Sequence, residues 1–190
     1  AHAAPDNQIK LAVIGCGGRG TGAVFQAFET GHPIKLVAMA DAFQDRLDNS
    51  FKAISGKYGA DKVAVTPEKM FVGFDGYKQA IAEADVVILA APPGFRPSHF
   101  EEAVKQGKQI FMEKPVATDA AGIRKVLAAA EEAKAKKLNV VVGLQRHYQS
   151  NYREVMKRIH DGALGELHTL HANYIVGGLW VKKRQPEWTD

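Results

Sequence analysis

Residues 9–20, with the sequence IKLAVIGCGGRG, decide the fold of this chain. Their first six residues form a short, mainly apolar run, which predicts a strand buried on both faces. The run ends in glycines whose spacing matches the pattern GxGxxG, at Gly15, Gly17 and Gly20. Residues 21–30 follow with apolar side chains on one helical face. The stretch therefore predicts a strand, a tight glycine turn and a helix.

Strands and helices continue to alternate up to residue 144. The pattern predicts six short apolar strands, at residues 9–14, 36–40, 70–72, 86–90, 109–112 and 140–144. Helices are predicted between them, at residues 21–30, 50–58, 77–84, 97–106 and 119–137. This alternation implies a parallel sheet with helices on both faces, joined by right-handed crossovers. The fold class is therefore α/β, a doubly wound parallel sheet of the Rossmann type.

The helix predicted at residues 119–137 has the clearest pattern in the sequence. Its apolar residues recur at helical spacing. They are expected to form its buried stripe, which consists of Ile123, Val126, Leu127, Ala130 and Ala133. Thr118 or Asp119 is expected to cap its first turn, because both side chains accept hydrogen bonds from free backbone N–H groups.

The domain organisation follows from where the alternation stops. Residues 8–145 are expected to form one dinucleotide-binding domain. Residues 146–190 are interpreted as the beginning of a second α/β domain, with a helix at 152–160 and a half-buried strand at 166–176. Because a single strand cannot stand alone, the chain is expected to be cut inside this second domain.

Composition excludes several classes of protein. The chain has 190 residues, of which 46% are hydrophobic and 24% charged, with a single cysteine. These values exclude intrinsic disorder and a disulfide scaffold. No apolar run reaches the length of about 18 residues that suggests a bilayer span, so no membrane partner is expected. The 25 basic and 21 acidic side chains are spread along the chain, so no nucleic-acid partner is expected either.

The N-terminal residues Ala1-His2-Ala3 leave the location of the protein open. They resemble what remains after signal-peptidase cleavage, which would indicate export to the periplasm or beyond. Alanine is frequent in this chain, however, so the same residues also fit a cytoplasmic protein.

The glycine turn has the surroundings that a dinucleotide site requires. Gly15 would permit the tight turn, Gly17 the close approach of backbone to a pyrophosphate, and Gly20 the packing of helix on strand. The pyrophosphate would lie at the N-terminus of the helix, where free N–H groups point outward. Gly18 and Arg19 are therefore also candidate cofactor contacts. The alternative is a glycine-rich turn with no ligand.

Asp41 ends the second predicted strand, 21 residues after Gly20. A carboxylate there accepts hydrogen bonds from ribose hydroxyls and repels a 2′-phosphate, which favours NAD over NADP. Arg46 is the competing cation, since it could reach such a phosphate. NAD is therefore the expected cofactor, with NADP as the alternative.

Glu113-Lys114-Pro115 directly follows the strand predicted at residues 109–112. These residues are thus expected at the carboxyl edge of the sheet, where ligands of open α/β folds bind. A lysine there can hydrogen-bond a substrate hydroxyl and assist its deprotonation. An ion pair on a surface loop is the alternative interpretation.

The motifs together resemble the Gfo/Idh/MocA family, the group of glucose-fructose oxidoreductase and inositol dehydrogenase. The resemblance is carried by the glycine turn, Asp41, the Ala-Ala-Pro-Pro turn at 90–93, the Gly107-Lys108 turn and Glu113-Lys114-Pro115. It implies a nicotinamide-dependent oxidoreductase with Lys114 as the catalytic residue near the substrate hydroxyl. Further candidate cofactor contacts are Ala91, Pro92, His99, Glu113, Lys114 and Arg146.

The resemblance also implies parts that have no match in this chain. Family members are longer, and their second domain supplies an acid and a histidine that act with the lysine. His168 and His171 are not expected to replace them, because their spacing places them on opposite faces of the predicted strand. No metal site is therefore expected. Trp180 and Trp188 could stack on a sugar or pack against another subunit, and the full-length protein is expected to form a homo-oligomer.

The expected reaction is hydride transfer between a nicotinamide cofactor and a hydroxyl-bearing carbon of a sugar, cyclitol or related polyol. Two alternatives use the same residues. One is glycoside cleavage by transient oxidation, which would release no net NADH. The other is a dinucleotide-binding module without catalytic activity.

Overall fold

The computed structural model describes residues 8–177, 184 and 186. The chain divides into two units, with the boundary between Gln145 and Arg146. None of the helices within the described ranges combines the length and the apolarity that crossing a bilayer requires. Ala1-His2-Ala3, Trp180 and Trp188 lie outside the described residues.

Six strands and five α-helices alternate in the first unit as it is described. The strands are β1 (Ile9–Ile14), β2 (Ile34–Asp41), β3 (Met70–Val72), β4 (Val86–Leu89), β5 (Gln109–Met112) and β6 (Val140–Val142). The helices are α1 (Gly18–Glu29), α2 (Gln44–Lys62), α3 (Gly76–Ala82), α4 (Arg96–Lys105) and α5 (Ala120–Ala135). One short 3₁₀ turn, Pro67–Lys69, leads into β3, and another, Gln145–His147, follows β6. The second unit contains α6 (Ser150–His160).

All six strands are parallel and lie in the order β3-β2-β1-β4-β5-β6. The order reverses between β1 and β4, so the loops after these two strands open toward opposite sides of a crevice. This is the strand order of doubly wound dinucleotide-binding domains. The fold class predicted from the sequence is confirmed.

The sheet is buried on both faces because apolar residues occupy successive positions along its central strands. In β1, Ala12 and Ile14 pack on one face with residues of α3, α4 and α5, while Leu11 and Val13 pack on the other with residues of α1 and α2. Successive side chains of a strand point to opposite faces. A strand covered on both sides must therefore be apolar wherever it is covered, as β1 is from Leu11 to Ile14.

The buried stripe of α5 agrees with the predicted one only in part, at Val126 and Ala133. Val126, Ala129 and Ala133 are buried, whereas Ile123 is 41% and Leu127 61% exposed. Each residue turns about 100° around a helix axis, so the buried face is rotated toward Ala129 and away from Leu127. Ala130 is exposed too. The predicted cap is confirmed for Asp119, whose Oδ1 accepts a hydrogen bond from the Gly122 N–H at 2.7 Å.

The strand predicted at residues 166–176 does not form among the described residues, which are irregular from 167 to 177. Leu170 is 84% and Tyr174 82% exposed. The alternating pattern alone cannot make a strand, because the backbone N–H and C=O groups need a partner strand to bond. The helix predicted at 152–160 is present and begins two residues earlier, as α6.

Candidate functional site

Gly15 and Gly20 are required by the chain's own packing. Gly15 has a φ of +94°, and a Cβ added to it would lie 2.3 Å from the Ala91 nitrogen in the loop after β4. A Cβ added to Gly20 would lie 1.9 Å from the Gly15 carbonyl oxygen. The first glycine therefore lets two loops touch, and the second lets α1 pack against the turn.

Gly17 is a glycine that this packing does not require. It precedes α1 with a φ of −73°, and a Cβ added there would meet nothing within 4 Å. Gly18, the first residue of α1, is equally open. No side chain among the described residues caps the first turn of α1, and that turn contains no acidic residue. An open backbone at a helix N-terminus fits the pyrophosphate of a dinucleotide.

Asp41 lies at the end of β2 and faces the glycine turn. Its Oδ2 accepts a hydrogen bond from the Cys16 N–H at 2.6 Å, and its Oδ1 accepts one from the Phe43 N–H at 3.0 Å. These two bonds fix the carboxylate in place. Each carboxylate oxygen has a second lone pair, so the half-buried group can still accept hydrogen bonds from ribose hydroxyls.

Cys16 lies beneath the turn and has no role as a nucleophile. Its side chain is buried, and its Sγ donates to the Ala40 carbonyl oxygen at 3.4 Å. Burial, followed by the negative charge of Asp41, raises the pKa of the thiol to about 12. The thiol therefore stays protonated at pH 7. Because only the thiolate is reactive, it cannot act as a nucleophile.

Arg46 lies near the same turn. With Gly17 and Ser50 it lines a cavity of about 370 Å³ between the beginning of α1 and α2. Its side chain is exposed. The cation that could accept a 2′-phosphate therefore lies beside the glycine turn, as does Asp41.

Glu113 is buried at the end of β5, with 8% of its surface exposed. Its Oε1 accepts a hydrogen bond from Arg19 Nε at 2.7 Å, so the glycine turn and the end of β5 are joined by an ion pair. Its carboxylate also lies against the bare backbone of Gly143, where a Cβ would come within 2.9 Å of Oε1. The charges of Arg19 and Glu113 are thus paired with each other near the crevice.

Lys114 follows Glu113 at the carboxyl end of β5, as expected from the sequence. Its side chain is exposed and forms no hydrogen bond or ion pair within the ranges described. The Lys114–Pro115 peptide bond is cis. The ammonium group is thus unpaired among the described residues.

Arg96 is a buried residue that the sequence interpretation missed. It is the first residue of α4 and only 2% exposed. Its Nη1 donates to the Pro115 carbonyl oxygen at 2.6 Å, and its Nη2 donates to the Ala91 carbonyl oxygen. The sequence contained a signal that could have found it, namely an arginine at the N-terminus of a predicted helix. The helix dipole disfavours positive charge at that place, so the residue is unusual there.

His99 lies one turn further along α4 and is 7% exposed. Its ring packs against Tyr77, with the ring centroids 4.2 Å apart. Burial, and then the positive charge of Arg96, lower its pKa to about 4. His99 is therefore a neutral, buried aromatic neighbour at pH 7, and its Nδ1 finds no hydrogen-bond partner in the described part of the chain.

The remaining candidates divide between the two units. Ala91 and Pro92 lie in the loop after β4, where Ala91 adjoins Gly15. Arg146 belongs to the second unit, where its guanidinium lies 4.9 Å from the ring centroid of Tyr152 and Nη1 donates to Gln149 at 3.4 Å.

The two late histidines lie in exposed positions. His168 and His171 are both exposed, and His168 lies 3.9 Å from the Glu166 carboxylate. No group of three metal-ligating side chains occurs among the residues that the structure describes.

The strand order, the glycine turn between β1 and α1 and the acid at the end of β2 define a Rossmann-type dinucleotide-binding domain. A family model agrees: GFO_IDH_MocA, described as "Oxidoreductase family, NAD-binding Rossmann fold", matches residues 9–143. The chain belongs to this family and contains its NAD-binding domain.

Known relatives include several inositol 2-dehydrogenases. The chain is 32% identical over 133 residues to that of Rhizobium meliloti (strain 1021), covering 70% of this chain and 35% of the relative. It is 33% identical over 176 residues to that of Pseudomonas fluorescens (strain SBW25), covering 89% and 47%. The chain thus spans less than half the length of these two relatives.

Solved structures share the fold. A putative myo-inositol dehydrogenase from Sinorhizobium meliloti 1021 has a TM-score of 0.61 and 29% identity, over 84% of this chain and 43% of that one. The myo-inositol dehydrogenase from Lactobacillus casei, solved with NAD(H) and myo-inositol, has a TM-score of 0.68 and 19% identity, over 83% and 43%.

Proposed function

We propose that this chain is the cofactor-binding part of an NAD-dependent dehydrogenase that oxidises a hydroxyl group of a polyol, most closely a cyclitol. The observation that carries the proposal is the position of Lys114, free and exposed at the carboxyl end of β5. The neighbouring glycine turn is joined to β5 through the pair of Arg19 and Glu113. The relatives named inositol 2-dehydrogenase support a cyclitol as the substrate class.

Each group at the crevice has a task in this reaction. The open backbone at Gly17 and Gly18 holds the pyrophosphate, and Asp41 accepts hydrogen bonds from the ribose hydroxyls. NAD, when bound, supplies the hydride acceptor. Lys114 hydrogen-bonds the substrate hydroxyl and stabilises the negative charge that develops on its oxygen, while the proton passes to a base that the second domain of the full-length protein supplies.

The fixed carboxylate of Asp41 favours NAD over NADP. A 2′-phosphate would lie close to this carboxylate, which its two backbone hydrogen bonds hold in place. Arg46 offers an opposing attraction from the adjoining cavity. We expect calorimetry to give the lower Kd for NAD, and tighter binding of NADP would contradict this preference.

The function is tested with Lys114→Ala in the full-length protein, assayed with NAD and a panel of inositols and sugars. We expect kcat to fall by about 100-fold or more, the usual range for loss of a donor that stabilises a developing oxyanion. The Kd for NAD should stay within about twofold, since Lys114 acts on the substrate.

Lys52→Ala removes an exposed lysine of α2 and serves as the matched control, with unchanged kcat expected. An unchanged kcat in Lys114→Ala would remove this residue from the mechanism. Absence of turnover of the whole panel by the wild-type protein would instead favour a binding module without catalytic activity.

A further inference from the structure

We infer that Arg96 is a positioning residue, whose guanidinium holds the loop carrying Lys114 at a fixed place against the loop after β4. The sequence motifs assign no role to Arg96. Its catalytic consequence depends on the proposed function, whereas the structural link between the two loops does not.

The two hydrogen bonds of Arg96 join two loops at the crevice. Pro115, whose carbonyl oxygen accepts from Nη1 at 2.6 Å, is the residue after Lys114. Ala91, whose carbonyl oxygen accepts from Nη2, follows β4 and adjoins Gly15 of the glycine turn. A single planar group therefore connects the backbone that carries Lys114 to the backbone that contacts the cofactor turn.

The environment of Arg96 is unfavourable for a cation, so packing alone does not explain an arginine at this position. The side chain is almost completely buried at the N-terminus of α4, where both burial and the helix dipole oppose a cation. Burial lowers its pKa, and the negative charge of nearby Glu113 opposes that shift. An apolar side chain of similar length would avoid these costs, but it could not bond either carbonyl oxygen.

The guanidinium suits this task better than other cationic groups would. Its N–H groups form a rigid fork, so one side chain can reach two acceptors in a set geometry. A lysine has a single ammonium group on a flexible stem and is expected to hold one of the two carbonyls well. Arg96→Lys should therefore keep the charge while loosening one loop.

The test compares Arg96→Met and Arg96→Lys in the full-length protein, with Arg124→Met as the control for the same chemical change at an exposed site of α5. We expect kcat of Arg96→Met to fall by roughly 100-fold, the effect of a displacement of about 1 Å in a positioned group. The Kd for NAD should change by less than about threefold, because the groups assigned to its pyrophosphate and ribose, Gly17, Gly18 and Asp41, are not bonded to Arg96. KM should change much less than kcat, because a single hydrogen bond from Lys114 is a small part of substrate binding. Arg96→Lys should lie between wild type and Arg96→Met.

Hydrogen exchange of the folded proteins provides a second measurement that is independent of turnover. The N–H of Phe95, bonded to the Pro92 carbonyl oxygen, and the N–H of Glu113, bonded to the Leu89 carbonyl oxygen, should exchange faster in Arg96→Met than in wild type, while residues 9–14 in β1 should not. Arg124→Met should match wild type in every measurement.

Two outcomes overturn the inference. One is a folded Arg96→Met protein with unchanged kcat, and the other is an equal loss of kcat and NAD affinity, which indicates general disruption. If Arg96→Met does not fold, Arg96→Lys decides by the same criteria. If the wild-type protein turns over no polyol, the proposed function fails, and hydrogen exchange alone tests the link between the two loops. Faster exchange in both loops of Arg96→Met supports that link, and unchanged exchange overturns it.

Discussion

At the scale of single residues, the glycines of the turn separate into two kinds. Gly15 and Gly20 have neighbours closer than any Cβ could tolerate, so the fold itself requires them. Gly17 has open space around it and an ordinary φ. We propose that its lack of a side chain serves a ligand that approaches the backbone.

Gly17→Val is predicted to weaken NAD binding by at least about tenfold, because its side chain would occupy the place of the pyrophosphate. The free energy of unfolding should change by less than about 1 kcal/mol, since a Cβ at this position has no protein atom within 4 Å. Calorimetry and denaturant unfolding measure the two effects. Gly56→Ala, at an open position in α2, is the control and should leave NAD affinity unchanged. Unaltered NAD affinity in Gly17→Val would contradict the assignment of the turn.

His99 makes stability depend on pH. Its pKa is about 4 in the folded chain, against an ordinary value of 6.5. Between pH 6.5 and pH 4, His99 is mostly protonated in the unfolded chain and mostly neutral in the folded chain. The free energy of unfolding contributed by neutral His99 is therefore fully present above pH 6.5 and falls as the pH drops toward 4, by up to roughly 3 kcal/mol.

The prediction is tested by unfolding wild type and His99→Phe between pH 7 and pH 4.5. The variant keeps a ring against Tyr77 but cannot titrate, so the difference between the two curves isolates His99 from the carboxylates. The wild-type curve should descend more steeply toward acid. Parallel curves would show that His99 does not contribute.

At the scale of elements, α5 shows that apolar spacing does not by itself select the buried face. Several apolar residues adjoin one another around this helix, so more than one stripe fits the pattern. The structure buries the stripe of Val126, Ala129 and Ala133, in contact with the α4 side of the core. Leu127, in the predicted stripe, is largely exposed.

Substitutions on the exposed and the buried face of α5 should therefore lower the free energy of unfolding by different amounts. Leu127→Gln is predicted to change the free energy of unfolding by less than about 0.5 kcal/mol, as for most surface changes. Ala129→Leu adds a large side chain at a position that is 4% exposed and should cost about 1–3 kcal/mol through overpacking. Denaturant unfolding measures both. A larger loss in Leu127→Gln than in Ala129→Leu would contradict the observed burial.

At the scale of the whole molecule, the described structure separates at Gln145 into a unit that contains the complete sheet and a second unit. The glycine turn, Asp41 and Lys114 all belong to the first unit. Arg146, a predicted cofactor contact, interacts with Gln149 and Tyr152 of its own unit. NAD binding should therefore depend on the first unit.

A chain shortened to end at Gln145 is predicted to unfold cooperatively and to bind NAD with a Kd within about threefold of the 190-residue chain. Calorimetry on both chains measures the affinities. A much weaker Kd in the shortened chain would show that residues after Gln145 contribute, and Arg146→Ala in the longer chain would then test whether Arg146 is the contact.

Much of the first unit could be predicted because its signals are local. The strands at 70–72 and 109–112 have the predicted bounds, since short apolar runs between turns leave little choice of length. The helix predicted at 50–58 begins earlier, at Gln44, because its polar first turns lack an apolar pattern, whereas its predicted end coincides with the break at Gly59, where φ is +64°. The strand predicted at 166–176 failed, since pairing depends on a partner that the pattern does not reveal.

The sequence by itself determined the doubly wound fold, the glycine turn, the acid at the end of β2 and the lysine after β5, because each depends on residues that are close together in the chain. Only the tertiary structure decided that Arg19 pairs with Glu113, that Arg96 bonds the carbonyls of Ala91 and Pro115, and which face of α5 is buried. These contacts join separate elements across the carboxyl edge and one face of the sheet. Their geometry exists only once the parallel strands have brought those elements together.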